Sequence, residues 1–282
     1  MTDTQTLTVI DHNRVFHGFT YVYPVVSRRA GGVSIGINLN PNNACNWQCV
    51  YCQVPNLTRG MAPALDIALL EHELDSFLAE IIQGDFMTAY VEPEVRVLKD
   101  IAFSGNGEPT SCPQFDQALQ IVEKLRTRYQ QGINVKTRLI TNGSLMHKPA
   151  VLDNIQYLNG LNGEVWFKLD AGTRNDIQRI NHVHVNPQQH LTRLKACAAR
   201  CPTFIQTCLF AWHQEAPDEA FIQAYLDSVS QVRDVVKGVY LYGVARPSYQ
   251  PEASFISRLP LDWLVAFAEK IRALGLTVHV SE

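Results

Sequence analysis

Short apolar runs that alternate with longer segments of helical period constrain this chain more than any other feature, because that pattern is the one made by βα units around a parallel sheet. The runs cover residues 32–39, 100–104, 136–141, 165–169, 204–210 and 238–244. After the first run, Leu70, Leu74, Phe77 and Ile81 recur every three or four residues, and after the second Ala118, Ile121, Leu125 and Tyr129 do the same. Each such segment can lay an apolar stripe on a sheet, which is what a crossover helix needs. Asn186-Pro187 pairs an N-cap residue with proline at the first helical position and opens a helix carrying Leu191 and Leu194. Further helices are expected over 218–232 and 261–274, the latter stopped by Gly275. Six strands joined by five crossovers predict an α/β fold, a partial (βα)6 parallel barrel, with ligand-binding loops at the C-terminal ends of its strands.

The 282 residues, 46% hydrophobic and 18% charged, are enough for one large core. No internal repeat and no linker rich in Gly, Pro or Ser interrupts them, so a single domain over residues 1–282 is expected, its core at about 33–250 with both terminal extensions packed on it. A net charge of -3 gives no global pull toward phosphate backbones, and the local pairs Arg28-Arg29 and Arg126/Arg128 read as solvated surface. The first residues lack the basic and apolar regions of a signal peptide, and no run of about 18 apolar residues suggests a membrane span. With seven bunched cysteines, that predicts a cytoplasmic chain whose thiols serve metals or the core, without disulfides and without a membrane partner.

Three of those cysteines stand directly after the first strand as Cys45-x-x-x-Cys49-x-x-Cys52. Soft thiolates select zinc, Cu(I) or iron–sulfur clusters, and closely spaced Cys runs are how chains wrap a [4Fe-4S] cube. Structural zinc requires a closed set of four ligands, and no second Cys pair or His lies at finger-like spacing. Three ligands on a four-iron cube leave one iron open to a small molecule.

The triplet, with Tyr51 just before its third cysteine, resembles the signature of the radical S-adenosylmethionine (SAM) superfamily. The resemblance implies a [4Fe-4S] cluster on Cys45, Cys49 and Cys52, SAM on the open iron, and Tyr51 against the adenine. Ser104-Gly105-Asn106-Gly107-Glu108-Pro109-Thr110 follows the second strand and is similar to the family's G-G-E-P loop, which binds the SAM amino group through its backbone; Asn106 stands where Gly is frequent. Thr141-Asn142-Gly143-Ser144 after the third strand resembles the T-N-G loop that lines the SAM site, although Asn-Gly is also a common turn dipeptide.

Alternation along the fourth strand turns Trp166, Lys168 and Asp170 to the lumen and Phe167 and Leu169 to the helices. Lys168 and Asp170 are therefore candidate catalytic residues, with a structural ion pair as the alternative; the family's L-D-A segment lies near SAM and substrate, which favours Asp170. Arg246, at the end of the sixth strand, can clamp a carboxylate or phosphate or simply face solvent. Asn181-His182-Val183-His184 with His190 is only superficially a ligand set, and these histidines read as surface residues. Cys197, Cys201 and Cys208 are expected as core filler with an auxiliary cluster as the alternative, and Cys112 as core.

The ordered motifs resemble a branch related to the wyosine-forming tRNA enzymes. By resemblance, a flavodoxin or ferredoxin supplies an electron, SAM is cleaved to methionine and a 5′-deoxyadenosyl radical, and hydrogen is taken from a small-molecule or peptide substrate. A tRNA base as substrate, aminocarboxypropyl-type cleavage of SAM, and a non-catalytic iron–sulfur carrier remain open alternatives.

Overall fold

In the computed structural model, which describes residue 7 and residues 18–27, 30–130 and 134–281, one curled sheet carries the molecule. The basic pair Arg28-Arg29 lies outside the described residues. The strands of this sheet are β1 (Val22–Ser27), β2 (Gly32–Ile37), β3 (Leu98–Phe103), β4 (Lys136–Thr141), β5 (Gly163–Lys168), β6 (Thr203–Leu209), β7 (Val239–Gly243) and β8 (Val278–Ser281). They lie side by side in chain order, every neighbouring pair parallel except β1 on β2.

The six expected strands are the contiguous centre of this sheet, and one more strand is added at each edge. β1 contains Pro24, which a central strand does not accommodate because proline donates no ladder hydrogen bond, and it occupies an edge, where that donor is not needed. Buried Glu73 fixes its entry by accepting hydrogen bonds from the backbone N–H groups of Thr20, Tyr21 and Val22 at 2.7, 2.8 and 3.1 Å.

The helices of eight residues or more are α1 (Ile67–Gln83), α2 (Phe115–Arg128), α3 (Pro149–Gly160), α4 (Arg174–Asn181), α5 (Pro187–Ala198), α6 (Glu219–Ser230) and α7 (Leu261–Arg272). The expected stripes are buried: Leu70, Leu74, Phe77 and Ile81 on α1, and Ala118, Ile121 and Leu125 on α2. Tyr129 caps α2 instead of continuing it. α5 starts as its sequence dictates, with the Asn186 side chain accepting from Gln188 N at 2.9 Å and Pro187 inside the first turn. Gly275, with φ +88°, turns the chain out of α7 toward β8 in a conformation that costs glycine little. α3 and α4 have no counterpart among the expected helices; α4 is a short, polar helix held by its ends, by Thr173 capping Asp176 N and by left-handed His182 at its C-terminus.

The lumenal side of the sheet carries charge. Asp100 on β3 is paired with Arg138 on β4, and Arg138 Nε donates to Glu164 on β5 at 3.1 Å while its guanidinium lies 4.8 Å from the centre of the Trp166 ring. Ser34 on β2 donates to the same Asp100. Burial raises the Asp100 pKa even with Arg138 opposing it. No helix among the described residues is long and apolar enough to cross a membrane.

Candidate functional site

The loop after β2 is built to meet the loop after β3. Asn38 Oδ1 accepts from Asn40 N and from Asn106 N, each at 3.0 Å, and Asn106 Nδ2 donates to Asn43 Oδ1 at 2.6 Å. Contact is close enough to require glycine at two positions. A Cβ on Gly105, whose φ is +136°, meets Asn38 Oδ1 at 2.4 Å, and one on Gly107 meets the Ala44 carbonyl oxygen at 2.1 Å.

A second wall comes from the loop after β4. Asn46 Nδ2 donates to Ser144 Oγ at 2.7 Å, and Asn142 Nδ2 donates to Asn46 Oδ1 at 2.8 Å. Glu108 locks this wall to the glycine loop. Its buried carboxylate accepts from Thr110 N, Thr110 Oγ1, Thr141 Oγ1 and Asn142 N at 3.1, 2.6, 2.6 and 2.7 Å. Burial pushes its pKa upward against those four donors. The Glu108 side chain thus points into the protein, leaving Gly105, Asn106 and Gly107 to face the recess.

On the far side, the C-terminus of α4 clamps the cysteine segment. The last carbonyls of a helix have no partner within it; here Ile180 O accepts from Val50 N at 2.9 Å and Asn181 O from Gln48 N at 3.2 Å. Exposed Arg59 ties the same two pieces together, donating to Asn46 O, Gln48 Oε1 and His182 O.

Cys45, Cys49 and Cys52 all line one recess of about 160 Å³, together with Gly105, Asn106, Gly107, Thr141, Asn142 and Lys168. Burial pushes the Cys45 and Cys49 thiols up to about 12, so neither is a thiolate at neutral pH on its own. A bound cation changes that balance outright. Among the described residues no three His, Cys, Asp or Glu side chains converge tightly enough to hold a single metal ion. Three thiols bordering one recess supply the soft donor set that a [4Fe-4S] cluster takes from a chain.

A network of polar side chains continues from the cysteines to the lumen. Tyr51 OH donates to Asp170 Oδ2 at 2.5 Å and accepts from Lys168 Nζ at 2.6 Å, and Lys168 Nζ stands 3.8 Å from the same carboxylate. Burial opposes the Lys168 ammonium, but the Asp170 carboxylate beside it outweighs burial and raises its pKa. Asp170 is completed by Cys208 N at 3.1 Å and Asn181 Nδ2 at 2.8 Å. Beyond lies a lumenal cavity of about 280 Å³, lined by Tyr51, Cys52 and Ser104 at one end and by Asp100, Arg138 and Trp166 at the other. Arg246 also lines it and donates to Gln53 Oε1 at 3.1 Å.

One expectation needs correction. His190, read as a surface residue, is 2% exposed on α5: its ring sits 4.9 Å from Phe167 and 5.6 Å from Trp47, and Nε2 is 2.8 Å from Lys168 O. Its period on α5, one residue before Leu191, turns it to the sheet. Asn181, read with those histidines, is buried and contacts Cys49 Sγ. His182 and His184 do border an open hollow at the surface. Cys197 lies beside Thr203 Oγ1 at 3.6 Å in the core, whereas Cys208 lines the lumen, so the two face different surroundings. Cys112 is buried, Arg126 donates to Val135 O, and Arg128 pairs with Asp75 on the surface.

Asn38 and Asn46 carry no signal in the sequence, because a polar side chain that works through loop geometry leaves no periodic trace, and Asn181 stands out there only as part of a superficial ligand set. Asp100, Arg138 and Glu164 did carry a signal: three charges at alternating positions of adjacent strands have to share a lumen.

Comparison with known proteins bears on this site directly. The model of the radical SAM superfamily matches residues 39–220. A Brachyspira hyodysenteriae protein named GTPase Obg is 30% identical over 161 residues, covering 56% of this chain and 20% of that protein. A Helicobacter pylori protein named UPF0026 protein is 27% identical over 163 residues, covering 56% of this chain and 44% of its own length. The chain therefore spans less than half of either relative. A radical SAM methyltransferase from Sphaerobacter thermophilus shares the fold, with a TM-score of 0.61 at 14% identity over 89% of this chain and 66% of that one.

Proposed function

The chain belongs to the radical SAM superfamily, whose members use a [4Fe-4S] cluster and SAM, and from that premise we propose that Cys45, Cys49 and Cys52 are the cluster ligands and that the recess they share with Gly105, Asn106, Gly107, Thr141 and Asn142 receives SAM. Its chemistry is reductive cleavage of SAM. When bound, the cluster and SAM supply a 5′-deoxyadenosyl radical that takes hydrogen from a substrate.

The chain's own residues do the positioning. Glu108 sets the spacing of two recess walls through its four hydrogen bonds, and the glycines let backbone amides and carbonyls approach a ligand closely. Tyr51 closes the inner side of the recess. Its hydroxyl is already committed to Asp170 and Lys168, so its ring rather than its oxygen is left for adenine. Lys168 lines the recess and, with buried Asp170, holds Tyr51, which borders both the recess and the lumenal cavity, so the pair sets the side chain that stands between SAM and substrate.

The observation that carries this reading is the single recess bordered by all three cysteines, the glycine loop and the Thr141-Asn142 loop. A cavity of about 280 Å³ admits a small molecule or a peptide side chain, and this supports a small-molecule or peptide substrate. A flavodoxin or ferredoxin is the proposed electron donor. Anaerobic reconstitution with iron and sulfide, followed by dithionite and SAM, tests the reading: 5′-deoxyadenosine is the expected product. Methylthioadenosine instead would mean aminocarboxypropyl cleavage, and no SAM-dependent change in the reduced cluster's EPR signal would mean a carrier. RNA that co-purifies and binds in a salt-sensitive manner would redirect the substrate to tRNA.

A further inference from the structure

The side chain of Asn181 reaches a cysteine sulfur of the proposed cluster site from outside the cysteine segment. Its Nδ2 donates to Cys49 Sγ at 3.2 Å and to Asp170 Oδ2 at 2.8 Å, and the residue is 1% exposed. Two hydrogens on one amide nitrogen match two acceptors, so both donors of the group are used. The backbone fixes this placement independently. Ile180 O and Asn181 O hold Val50 N and Gln48 N, the residues on either side of Cys49, and Arg59 grips the next carbonyl, His182 O. His182 takes φ +52° to end the helix there, which stops the segment with Asn181 directed inward.

We propose that Asn181 is a positioning residue for the cluster: its amide donates to the Cys49 sulfur, sets the reduction potential of the cluster, and ties that sulfur to the Asp170–Tyr51–Lys168 network bordering the lumen. This rests on the reading that Cys49 is a cluster ligand. The physical basis is charge. A reduced cluster places more negative charge on its sulfurs than an oxidised one, and an N–H donor aimed at a sulfur stabilises the reduced form more. Removing the donor makes the cluster harder to reduce. The same amide also orients Asp170, whose Oδ2 accepts from Tyr51 OH as well and lies 3.8 Å from Lys168 Nζ. Substrate that displaces or repolarises this network is then felt at Cys49 through one shared side chain.

The alternative is that Asn181 only fills space under the cysteine segment. The two differ in what a near-isosteric change does. Asn181→Leu keeps the volume and removes both N–H donors; Asn181→Ser keeps a polar group but is too short to reach the sulfur. Each is reconstituted anaerobically beside the wild type, and iron and sulfide content, circular dichroism and the EPR-monitored midpoint potential are recorded.

If wild type takes up no cluster, the reading of the cysteines fails and not this inference alone. With the wild-type cluster formed, the expected result is a midpoint potential shifted to more negative values in both variants at unchanged iron content, with 10- to 100-fold slower dithionite-driven SAM cleavage, the range usual for a lost outer partner of a metal ligand. A variant with native circular dichroism and unchanged potential overturns the proposal. If neither variant folds, wild type still decides: hyperfine spectra of the reduced cluster after exchange into D2O must show an exchangeable proton coupled at the Cys49 sulfur, and its absence also overturns it.

Discussion

Replacing Glu108 removes the acceptor for four hydrogen bonds at once, and the surrounding geometry decides how much stability is lost. In Glu108→Ala the hydroxyls of Thr110 and Thr141 can rotate to other acceptors, but the backbone N–H groups of Thr110 and Asn142 cannot move to find one. Each buried donor left without a partner costs about 1–3 kcal/mol, so the two together cost roughly 2–6 kcal/mol before any cavity is counted. At roughly 2–3 °C of melting temperature per kcal/mol for a chain of this size, a mid-range loss lowers Tm by roughly 8–12 °C.

Glu108→Gln retains one carbonyl oxygen and turns an NH2 group toward donors, so it is expected between wild type and Glu108→Ala, at about half the loss. Both substitutions loosen two walls of the recess, and equilibrium dialysis of SAM against reconstituted protein is expected to show at least ~10-fold weaker binding in parallel with the stability loss. Thermal melts of the three proteins before reconstitution separate the structural effect from the ligand effect. If Glu108→Ala melts within about 1 kcal/mol of wild type, the carboxylate does not hold the loops together and the reasoning is refuted.

Gly107→Ala drives a Cβ to 2.1 Å from the Ala44 carbonyl oxygen, so the cysteine segment has to shift; iron and sulfide content after reconstitution is expected to fall to less than half of wild type, and full uptake would contradict the close approach. Arg138→Met leaves Asp100 and Glu164 facing each other without their shared cation, and urea unfolding is expected to show a loss of about 3–5 kcal/mol, which Arg138→Met combined with Asp100→Asn should partly recover. His190 is neutral in the fold because burial lowers its pKa from 6.5 to about 4. The unfolded chain binds the extra proton first as pH falls, so this stability is fully present above pH 6.5 and is lost as pH falls toward 4, by about 3 kcal/mol at most. Melts of wild type and His190→Gln at pH 7 and pH 4.5 check the sign: the variant should lose less than wild type on acidification.

Whether a residue is legible in the sequence depends on whether it works through period or through place. Ile35, Ile101, Leu139, Val165, Ile205 and Leu241 are buried strand residues whose runs announce themselves, and the helical stripe of Leu70, Leu74 and Phe77 cannot be mistaken for a strand. The edges are harder. Pro24 argues against a strand unless the strand is known to be an edge, and Val278–Ser281 is only four residues long. α4 has mostly polar residues and is held by caps, so no apolar stripe marks it.

In the site, the cysteines are legible because soft ligands at short spacing have few other uses. The carboxylate of Glu108 is legible as part of a motif, but its inward direction toward Thr141 and Asn142 emerges only from the fold. His190 goes the other way, since a histidine near polar neighbours reads as exposed until the helix that turns it toward Phe167 is seen.

The claim that Cys45, Cys49 and Cys52 hold a cluster for SAM chemistry is tested most directly by one measurement: 5′-deoxyadenosine formed per chain after anaerobic reconstitution with iron and sulfide and addition of dithionite and SAM, in wild type and in the Cys45→Ala, Cys49→Ala and Cys52→Ala variants. Wild type is expected to form 5′-deoxyadenosine, and none of the three variants is expected to form any above background. Product formation that survives loss of these cysteines, or a fully loaded wild type that forms none, would contradict it.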